Sequence, residues 1–340
     1  MSMTPRVSVV MNCFNGARYL REALDSVFAQ TVTDFEIVFY DNASSDESAA
    51  IAQSYGEKVR YFRSATTTSL GQARNAAFRE ARGELIAMLD VDDAWLPGRL
   101  EAQLPLMEAD PGVGLAYCDA VLFDEAGRES RFFETVQPRR GNAFAALLAC
   151  NFICTGTMLF RRSALSAIAP LFEPDMTMVM DYFLTLKVAH ASRLDFAPAP
   201  LVRHRVHAGS ESSRKWQLFS VEIRSMLDRL AADVPDVSAT YAPALAAAVR
   251  AADLQLGLDA WTLGRIREAR AALAPHAGRS LVHTLALLAT WGYPWPFPAE
   301  RIRRLKHGLA MRLGRKQRPF RTHGETEAGM SSNKHDAHHP

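Results

Sequence analysis

Cysteine is scarce in this sequence of 340 residues, and none of its four cysteines forms a Cys-x-x-Cys pair: Cys13, Cys118, Cys150 and Cys154. So few scattered cysteines exclude a disulfide scaffold and favour a reducing compartment. Long apolar runs are also missing, because no stretch reaches the ~18 consecutive apolar residues that a membrane-spanning helix needs. The short apolar run after Met1–Arg6 lacks the pattern of a secretory signal. We therefore expect a cytoplasmic protein.

An excess of one charge sign is absent as well. Lys and Arg number 39, Asp and Glu number 37, and the formal net charge is +2, while 48% of the residues are hydrophobic. This balance excludes wholesale disorder, a collagen-like fibre and an integral membrane bundle. The length suits two domains, or one domain with an extension.

The first ninety residues alternate short β-rich runs with helical patterns. Such alternation is typical of βαβ units on a parallel sheet and predicts an α/β fold. Apolar residues recur at helical spacing over Ala17–Ala29 and Leu70–Ala81, which predicts two crossover helices. The predicted strands are Val7–Met11, Phe35–Tyr40, Val59–Phe62 and Leu85–Leu89.

The remainder of the chain divides near residue 213. Before it, mixed patterns predict strands at Gly114–Tyr117, Asp119–Phe123 and Gly156–Phe160, and a helix at Asp181–Ala189. From Lys215 onwards Ala, Leu and Arg dominate, and a helical hairpin is predicted at Leu254–Leu263 and Ile266–Leu273. We predict an α/β domain over 1–212, a helical region over 213–315 and a flexible tail over 316–340.

The strongest local feature is the acidic run Asp90-Val91-Asp92-Asp93 at the end of a predicted strand. Ligands of open α/β sheets bind beyond the carboxyl ends of the strands, and carboxylates suit Mg²⁺ or Mn²⁺ held with substrate phosphates. One aspartate of the run, Asp93, is expected to cap a helix that begins near Trp95. The alternative for the other two aspartates is simple solvation.

Two more polar segments end the first two strands. Asp41-Asn42-Ala43-Ser44-Ser45-Asp46 follows the second strand, and Asn12-Cys13-Phe14-Asn15-Gly16 follows the first and precedes a helix, whose N-terminus can face an anion. Each segment alone is equally consistent with a polar turn. Together with Asp90–Asp93 they predict a binding crevice at one edge of the sheet.

In order, these segments resemble the family 2 glycosyltransferases, enzymes of the GT-A fold that use nucleotide-sugar donors. The resemblance rests on Val9–Leu20 with Ser26–Thr31, on Asp41–Asp46, on Gly71–Asn75 with Ala81–Glu84, and on the Asp-x-Asp of Asp90-Val91-Asp92. It covers about residues 5–212. It implies a GT-A nucleotide-diphospho-sugar transferase fold, that is, a Rossmann-like mixed sheet flanked by helices, here followed by an α-helical extension.

The resemblance also implies roles for the donor site. Asp41 would contact the nucleotide base, Asp90 the ribose or sugar, and Asp92 the divalent cation, Mg²⁺ or Mn²⁺, on the diphosphate. The remaining donor-binding residues would be Asn12, Phe14, Asn15, Arg74 and His207. The donor would be a nucleotide-diphosphate sugar, with a UDP-sugar as the first candidate.

For the acceptor side, the resemblance is carried by Met180-Asp181-Tyr182-Phe183-Leu184, in which Asp181 would be the catalytic base of an inverting reaction. Thr155-Gly156-Thr157 before Leu159-Phe160-Arg161-Arg162 resembles the family's acceptor-side strand. The segment departs from the family pattern because Met180 and Phe183 replace acids, and Asn42 and Ala43 replace Asp and Gly in the second motif. The Gln-x-x-Arg-Trp motif of processive synthases is absent near Arg214–Trp216, so one sugar per encounter is expected.

The partners expected from the resemblance are a nucleotide sugar and a glycan or lipid-linked acceptor, in polysaccharide or glycolipid synthesis. Nine Lys or Arg and no acid lie in Arg301–Arg321. Such a segment suits peripheral contact with an anionic membrane, for which the inner face of the plasma membrane is one candidate. The alternative is a solvated helix. Aromatic residues are not interleaved with these cations, so no nucleic-acid partner is expected. The rival functions are a sugar nucleotidyltransferase and a catalytically degenerate sugar- or partner-binding protein.

Overall fold

The computed structural model describes residues 4–234 and 236–292. Within them, one mixed sheet has the strand order β3-β2-β1-β4-β8-β6-β9-β5, with β7 paired to β6. The strands are β1 Val7–Cys13, β2 Phe35–Asp41, β3 Val59–Arg63, β4 Leu85–Met88, β5 Ala94–Trp95, β6 Val113–Asp124, β7 Glu129–Arg131, β8 Leu159–Arg161 and β9 Arg193–Val206.

The helices of the same residues lie on both faces of the sheet and in a C-terminal bundle. They are α1 Ala17–Phe28, α2 Ser48–Gln53, α3 Leu70–Arg79, α4 Arg99–Ala109, α5 Phe144–Ala149, α6 Arg162–Leu165, α7 Met180–Ala191, α8 Glu211–Arg214, α9 Phe219–Asp233, α10 Val237–Thr240, α11 Ala242–Thr262, α12 Ile266–Leu273 and α13 Leu281–Gly292. The four predicted N-terminal strands and both crossover helices are observed, and the predicted helical hairpin lies in α11 and α12.

The N-terminal half of the sheet is parallel and buried on both faces. β1 pairs in parallel with β2 and β4, and β2 pairs in parallel with β3. Val9 and Met11 pack into the core beneath α1, whereas Val10 packs into the core on the opposite face with α3 and α7. This alternation follows from the two-residue period of a strand, and it explains why β1 reads as a nearly continuous apolar run.

The capping box of α3 was not anticipated from the sequence. The Ser69 side chain accepts from the N–H of Gln72, and the Gln72 side chain accepts from the N–H of Ser69. Two N–H groups that a helix start leaves unpaired are therefore satisfied, which fixes where α3 begins.

Three predictions for the middle of the chain need correction. Gly114–Tyr117 and Asp119–Phe123 form the single strand β6, which continues through irregular register around Cys118 and Asp119 because it pairs along its length with β9. The predicted strand Gly156–Phe160 is observed only in part, because Thr155–Thr157 form a 3₁₀ turn and the strand β8 begins at Leu159. The N–H and hydroxyl of Thr157 both donate to the Cys154 carbonyl, which closes the chain into a turn.

The predicted helix cap at Asp93 is wrong. The helix in question, α4, begins at Arg99 after Gly98, whose φ of 82° lies in the left-handed region that glycine adopts freely. The strand β5 separates Asp93 from α4 and pairs with β9. The carboxylate of Asp93 instead binds groups of β9, described below.

The helical region packs directly on the sheet domain. Met226, Leu227 and Leu230 of α9 belong to the same buried cluster as Phe183 and Leu184 of α7.

The position of the domain boundary near residue 213 remains a prediction. Both the basic segment Arg301–Arg321 and the predicted tail 316–340 lie outside the described residues. Across the described part of the chain, no helix has the length and apolar character needed to cross a bilayer.

Candidate functional site

The loops that follow β1 and β2 are joined at one edge of the sheet. The N–H of Asn42 donates to the Cys13 carbonyl at 2.8 Å. The N–H of Asn15 donates to Ser44 Oγ at 2.9 Å, and Asn15 Oδ1 accepts from the N–H of Ser45 at 2.8 Å. Asn15 adopts a left-handed backbone with φ of 53°, which Asn tolerates better than most residues. The structure thus brings together two of the segments that the sequence singled out.

Asp41, at the end of β2, has no exposed side-chain surface. Its Oδ1 accepts from the N–H of Ser44 at 2.7 Å, and its Oδ2 accepts from the Tyr61 hydroxyl at 2.6 Å and from Arg63 Nη1 at 2.5 Å. Burial alone would raise the pKa of Asp41, but these hydrogen bonds and the charge of Arg63 hold the pKa below its usual value. Both oxygens therefore have protein partners, and the predicted contact with a nucleotide base stays a prediction.

Asn12 and Phe14 present unused groups at the end of β1. The amide Nδ2 of Asn12 is buried and has no hydrogen-bond partner among the residues the structure describes. A buried donor without a partner costs about 1–3 kcal/mol, so this amide is well suited to a bound ligand. Phe14 is 53% exposed and offers a ring surface two residues further on.

Arg74 on α3 links three carboxylates. Its side chain is 7% exposed, and its Nη2 donates to Asp90 Oδ1 at 2.8 Å. Burial disfavours the charge, yet Asp90, Asp181 and Asp92 together raise the pKa of the guanidinium above its usual value. Acids from the end of β4 and from the start of α7 therefore lie within electrostatic reach of one cation.

Asp92 and His207 form a pair that can hold a divalent cation. Oδ2 of Asp92 lies 3.0 Å from Nε2 of His207, and the imidazole packs edge-on against Tyr19 with ring centroids 5.3 Å apart. Two ligand atoms at this separation match one edge of an octahedron with bonds of about 2.1 Å. No group of three acidic, histidine or cysteine side chains that could hold a metal occurs within 4–234 and 236–292. The pair therefore fits a cation that takes its other ligands from a diphosphate and water.

Asp93, the residue after Asp92, binds two groups of β9. Its carboxylate is 1% exposed; Oδ2 contacts Nδ1 of His204 at 2.9 Å, and Oδ1 accepts from the N–H of Arg205 at 2.9 Å. Burial works against the charge of the imidazole, but Asp93 raises the pKa of His204 to about 9. The pair fixes the end of β4 to β9 and so sets the distance between Asp92 and His207.

Arg205 is a site residue that sequence reasoning missed. Its guanidinium lies over the rings of Tyr19 at 4.3 Å and Phe123 at 4.5 Å, and its Nε donates to the backbone carbonyl of Asp92 at 3.0 Å. It therefore holds the backbone that carries the proposed metal ligand. The available signal was the Arg-x-His segment Arg205-Val206-His207, in which the resemblance gave a role to His207 but none to Arg205.

Asp181 lies in the first turn of α7. Its Oδ2 accepts from the Thr155 hydroxyl, and its Oδ1 accepts from the N–H of Tyr182 at 2.9 Å. The turn that carries Thr155 also reaches the end of β4, because a Cβ added to Gly156 would lie 3.2 Å from Oδ2 of Asp93. One 3₁₀ turn thus lies between Asp181 and the acidic run of β4.

Solved structures with a similar fold define the class. The chain is similar to TarS of S. aureus in complex with UDP-GlcNAc, with a TM-score of 0.54 and 17% identity over 73% of this chain and 81% of that one. It is also similar to the mannosyltransferase PcManGT of Pyrobaculum calidifontis in complex with GDP-Man and Mn²⁺, with a TM-score of 0.60 and 21% identity over 91% and 86% of the two chains. The molecule has the GT-A glycosyltransferase fold.

A family model matches the sequence. Residues 8–169 match the model described as Glycosyl transferase family 2. The predicted resemblance to that family, the GT-A fold and the enzyme class are confirmed.

Curated relatives carry the same class of name. The chain is 30% identical over 207 residues to an uncharacterized glycosyltransferase of Rickettsia typhi, covering 60% of this chain and 65% of the relative. It is 29% identical over 215 residues to one of Rickettsia felis, covering 62% of this chain and 36% of the relative. A third, of Methanocaldococcus jannaschii, is 35% identical over 135 residues, which cover 38% of this chain and 47% of the relative. The chain thus spans less than two thirds of the length of these relatives.

Proposed function

We propose that the protein is an inverting, metal-dependent glycosyltransferase that moves one sugar from a nucleotide-diphosphate donor to an acceptor hydroxyl. The observation that carries the proposal is the arrangement around Arg74. This buried cation binds Asp90 at 2.8 Å, and the charges of Asp92 and of Asp181, which comes from a separate helix, also favour its protonated form. A donor-side pair of acids and a separate acid for the acceptor are the groups that this reaction requires.

The donor is proposed to lie across the carboxyl ends of β1, β2 and β4. Asn12, Phe14 and Asn15 would bind it from the loop after β1, with the unpartnered amide of Asn12 as one donor group. Asp41 would face the nucleotide base, and Arg74 the diphosphate or the sugar. We propose a UDP-sugar first, since the TarS structure contains UDP-GlcNAc, although PcManGT contains GDP-Man.

Asp92 and His207 would hold Mg²⁺ or Mn²⁺, and Asp90 would contact the ribose or the sugar. When bound, the cation would stabilise the negative charge that develops on the departing diphosphate. The Mn²⁺ in the PcManGT complex supports this assignment. The protein's own contribution is to hold the carboxylate and imidazole 3.0 Å apart through Asp93 and Arg205.

Asp181 would act as the general base. The acceptor oxygen attacks the anomeric carbon and its proton passes to Asp181, while the bond from that carbon to the diphosphate oxygen breaks and the nucleoside diphosphate leaves with the bonding electrons. Attack on the face opposite the leaving group inverts the configuration at the anomeric carbon. Thr155, which donates to Asp181, would keep the carboxylate aimed at the acceptor.

We also propose a membrane-proximal acceptor, a glycan or lipid-linked sugar of polysaccharide or glycolipid synthesis, reached by peripheral contact with an anionic membrane. The helix α13 supports this: it buries His283 and Thr290 but exposes large apolar side chains on one face, Leu281 at 74%, Leu285 at 56%, Leu288 at 61% and Trp291 at 66%. The sequence continues into the basic segment Arg301–Arg321, whose charge complements an anionic bilayer. The face therefore suits insertion at a lipid headgroup boundary.

The test is a screen of UDP- and GDP-sugars with Mn²⁺ or Mg²⁺, with the released nucleotide measured for the wild type and for Asp92→Ala. Metal-dependent release of nucleoside diphosphate that is lost in Asp92→Ala supports the proposal. Release of pyrophosphate from a nucleoside triphosphate and a sugar phosphate would identify a nucleotidyltransferase instead. Binding of a donor without any release, in the presence of candidate acceptors, would identify a binding protein.

A further inference from the structure

The helical region reaches back to the start of α7 through one buried carboxylate. Glu222 of α9 is 9% exposed. Its Oε2 accepts from the backbone N–H groups of Thr177 at 3.0 Å, Met178 at 2.7 Å and Val179 at 3.3 Å, and its Oε1 also accepts from Thr177 at 3.0 Å. Three consecutive N–H groups thus converge on one side chain, which is a strong, charge-assisted arrangement.

The N-cap position of α7 offers no side-chain hydrogen bond. The residue at that position is Val179, which has no polar side chain. Helix starts leave N–H groups unpaired and favour negative charge nearby. Glu222 supplies that charge from 43 positions further along the chain.

The segment before α7 is held from a second side by α3. Asn75 donates to the Phe172 carbonyl at 2.7 Å and accepts from the Phe172 N–H at 3.0 Å. Gly71 permits this approach, because a Cβ there would lie 2.5 Å from the Glu173 carbonyl oxygen. The chain entering α7 is thus packed between α3, which carries Arg74, and α9, which carries Glu222.

We propose that Glu222 is a positioning residue for Asp181, which rests on the proposed role of Asp181 as base. By binding the three N–H groups that precede α7, Glu222 fixes the backbone two residues before Asp181. The hydrogen bonds of Glu222 described above all go to the backbone before α7 and not to the donor site at β1, β2 and β4. Loss of the carboxylate should therefore impair the acceptor step and spare donor binding.

The experiment uses the full chain and the substitution Glu222→Gln. The expected result is a fall of about tenfold or more in kcat for transfer, because small displacements of a catalytic group are costly, with the Kd for UDP and Mn²⁺ unchanged within twofold. Glu222→Asp keeps the charge on a shorter side chain and should give an intermediate kcat. A kcat retained within twofold in Glu222→Gln would overturn the proposal.

The matched control is Asp253→Asn in the same helical region. Asp253 is 7% exposed and accepts from Arg224 Nε at 2.8 Å and His276 Nε2 at 2.7 Å, so it is a buried carboxylate whose hydrogen bonds stay within the helical region. It should lower the thermal midpoint and leave kcat within twofold. Equal losses of kcat in the two variants, in proportion to their losses of thermal midpoint, would assign Glu222 a structural role only.

Failure of the proposed function would be recognised separately. If the wild type transfers no sugar from any donor, the function fails, and amide hydrogen exchange then tests the positioning alone. Glu222→Gln should accelerate exchange over Thr177–Phe183 relative to the wild type, whereas Asp253→Asn should not. Unchanged exchange in Glu222→Gln would reject the positioning role whatever the reaction.

Discussion

Nε2 of His207 lies 3.0 Å from Oδ2 of Asp92, although the two residues are 115 positions apart in the chain. The pair joins the end of β4 to the end of β9. Asp93 and Arg205 hold the same two chain segments together, so hydrogen bonds of the protein bring the two ligand atoms close to each other.

The first prediction concerns this pair. Asp92→Asn and His207→Ala should each weaken the apparent affinity for Mn²⁺ by about 10–100-fold, a loss comparable to that seen on disturbing metal sites. Because the two side chains act on one ion, the double variant should lose less than the product of the single effects. Nucleotide release titrated with Mn²⁺ measures the affinities. Asp110→Asn, which removes an exposed partner of Arg193, is the control and should leave the titration unchanged.

The second prediction concerns the proposed base. Asp181→Asn should lower kcat for transfer by about 10²–10⁴-fold, the usual contribution of a general base, without changing the Kd for the nucleoside diphosphate. Thr155→Val should lower kcat less, since it removes only the hydroxyl that donates to Asp181. Thr185→Val is the control, because the Thr185 hydroxyl donates to the Tyr182 carbonyl within the same helix. Activity that survives in Asp181→Asn would require another base.

The third prediction concerns acid stability. The pKa of Asp41 is lower in the folded protein than its usual value of 3.8, so ionised Asp41 stabilises the fold above pH 3.8 and this contribution is lost as the pH falls through the lowered pKa. Asp41→Asn should cost roughly 1–3 kcal/mol at pH 6. The free energy of unfolding of the Asp41→Asn variant, measured by urea denaturation, should fall less steeply below pH 3.8 than that of the wild type.

The control for this measurement is Asp34→Asn at an exposed position near Arg6. It should keep the wild-type dependence on pH. If Asp41→Asn and the wild type lose stability in parallel below pH 3.8, the hydrogen bonds of Asp41 do not depend on its charge.

The fourth prediction concerns α13. Leu285→Ser and Leu288→Ser should each weaken binding to vesicles that contain anionic lipid by about tenfold or more, because a buried leucine contributes about 1.5–3 kcal/mol. Co-sedimentation at two salt concentrations measures the binding, which should fall as salt screens the basic segment. Leu218→Ser, which removes an exposed leucine from outside α13, is the control. Equal binding to neutral and anionic vesicles would contradict the charge argument.

Sequence reasoning found the parts of the site that carry local signals. The parallel strands were visible as short apolar runs, and the acidic run Asp90–Asp93 stood at the end of one of them. The same reasoning misassigned Asp93, because a local rule for helix caps cannot reveal a partner such as His204, which is 111 residues away. Glu222 carried no signal for a similar reason, since its partners are backbone N–H groups that any residue offers.

The hydrogen bonds from the chain before α7 to Glu222 of α9 make the sheet domain depend on the helical region. A chimaera that joins residues 1–212 to helices from another protein would keep Asp90 and Asp92. It would lose the Glu222 carboxylate, which binds the backbone before α7. Exchange of the helical half between relatives is therefore constrained by an acid at position 222, even where no contact with a sugar is involved.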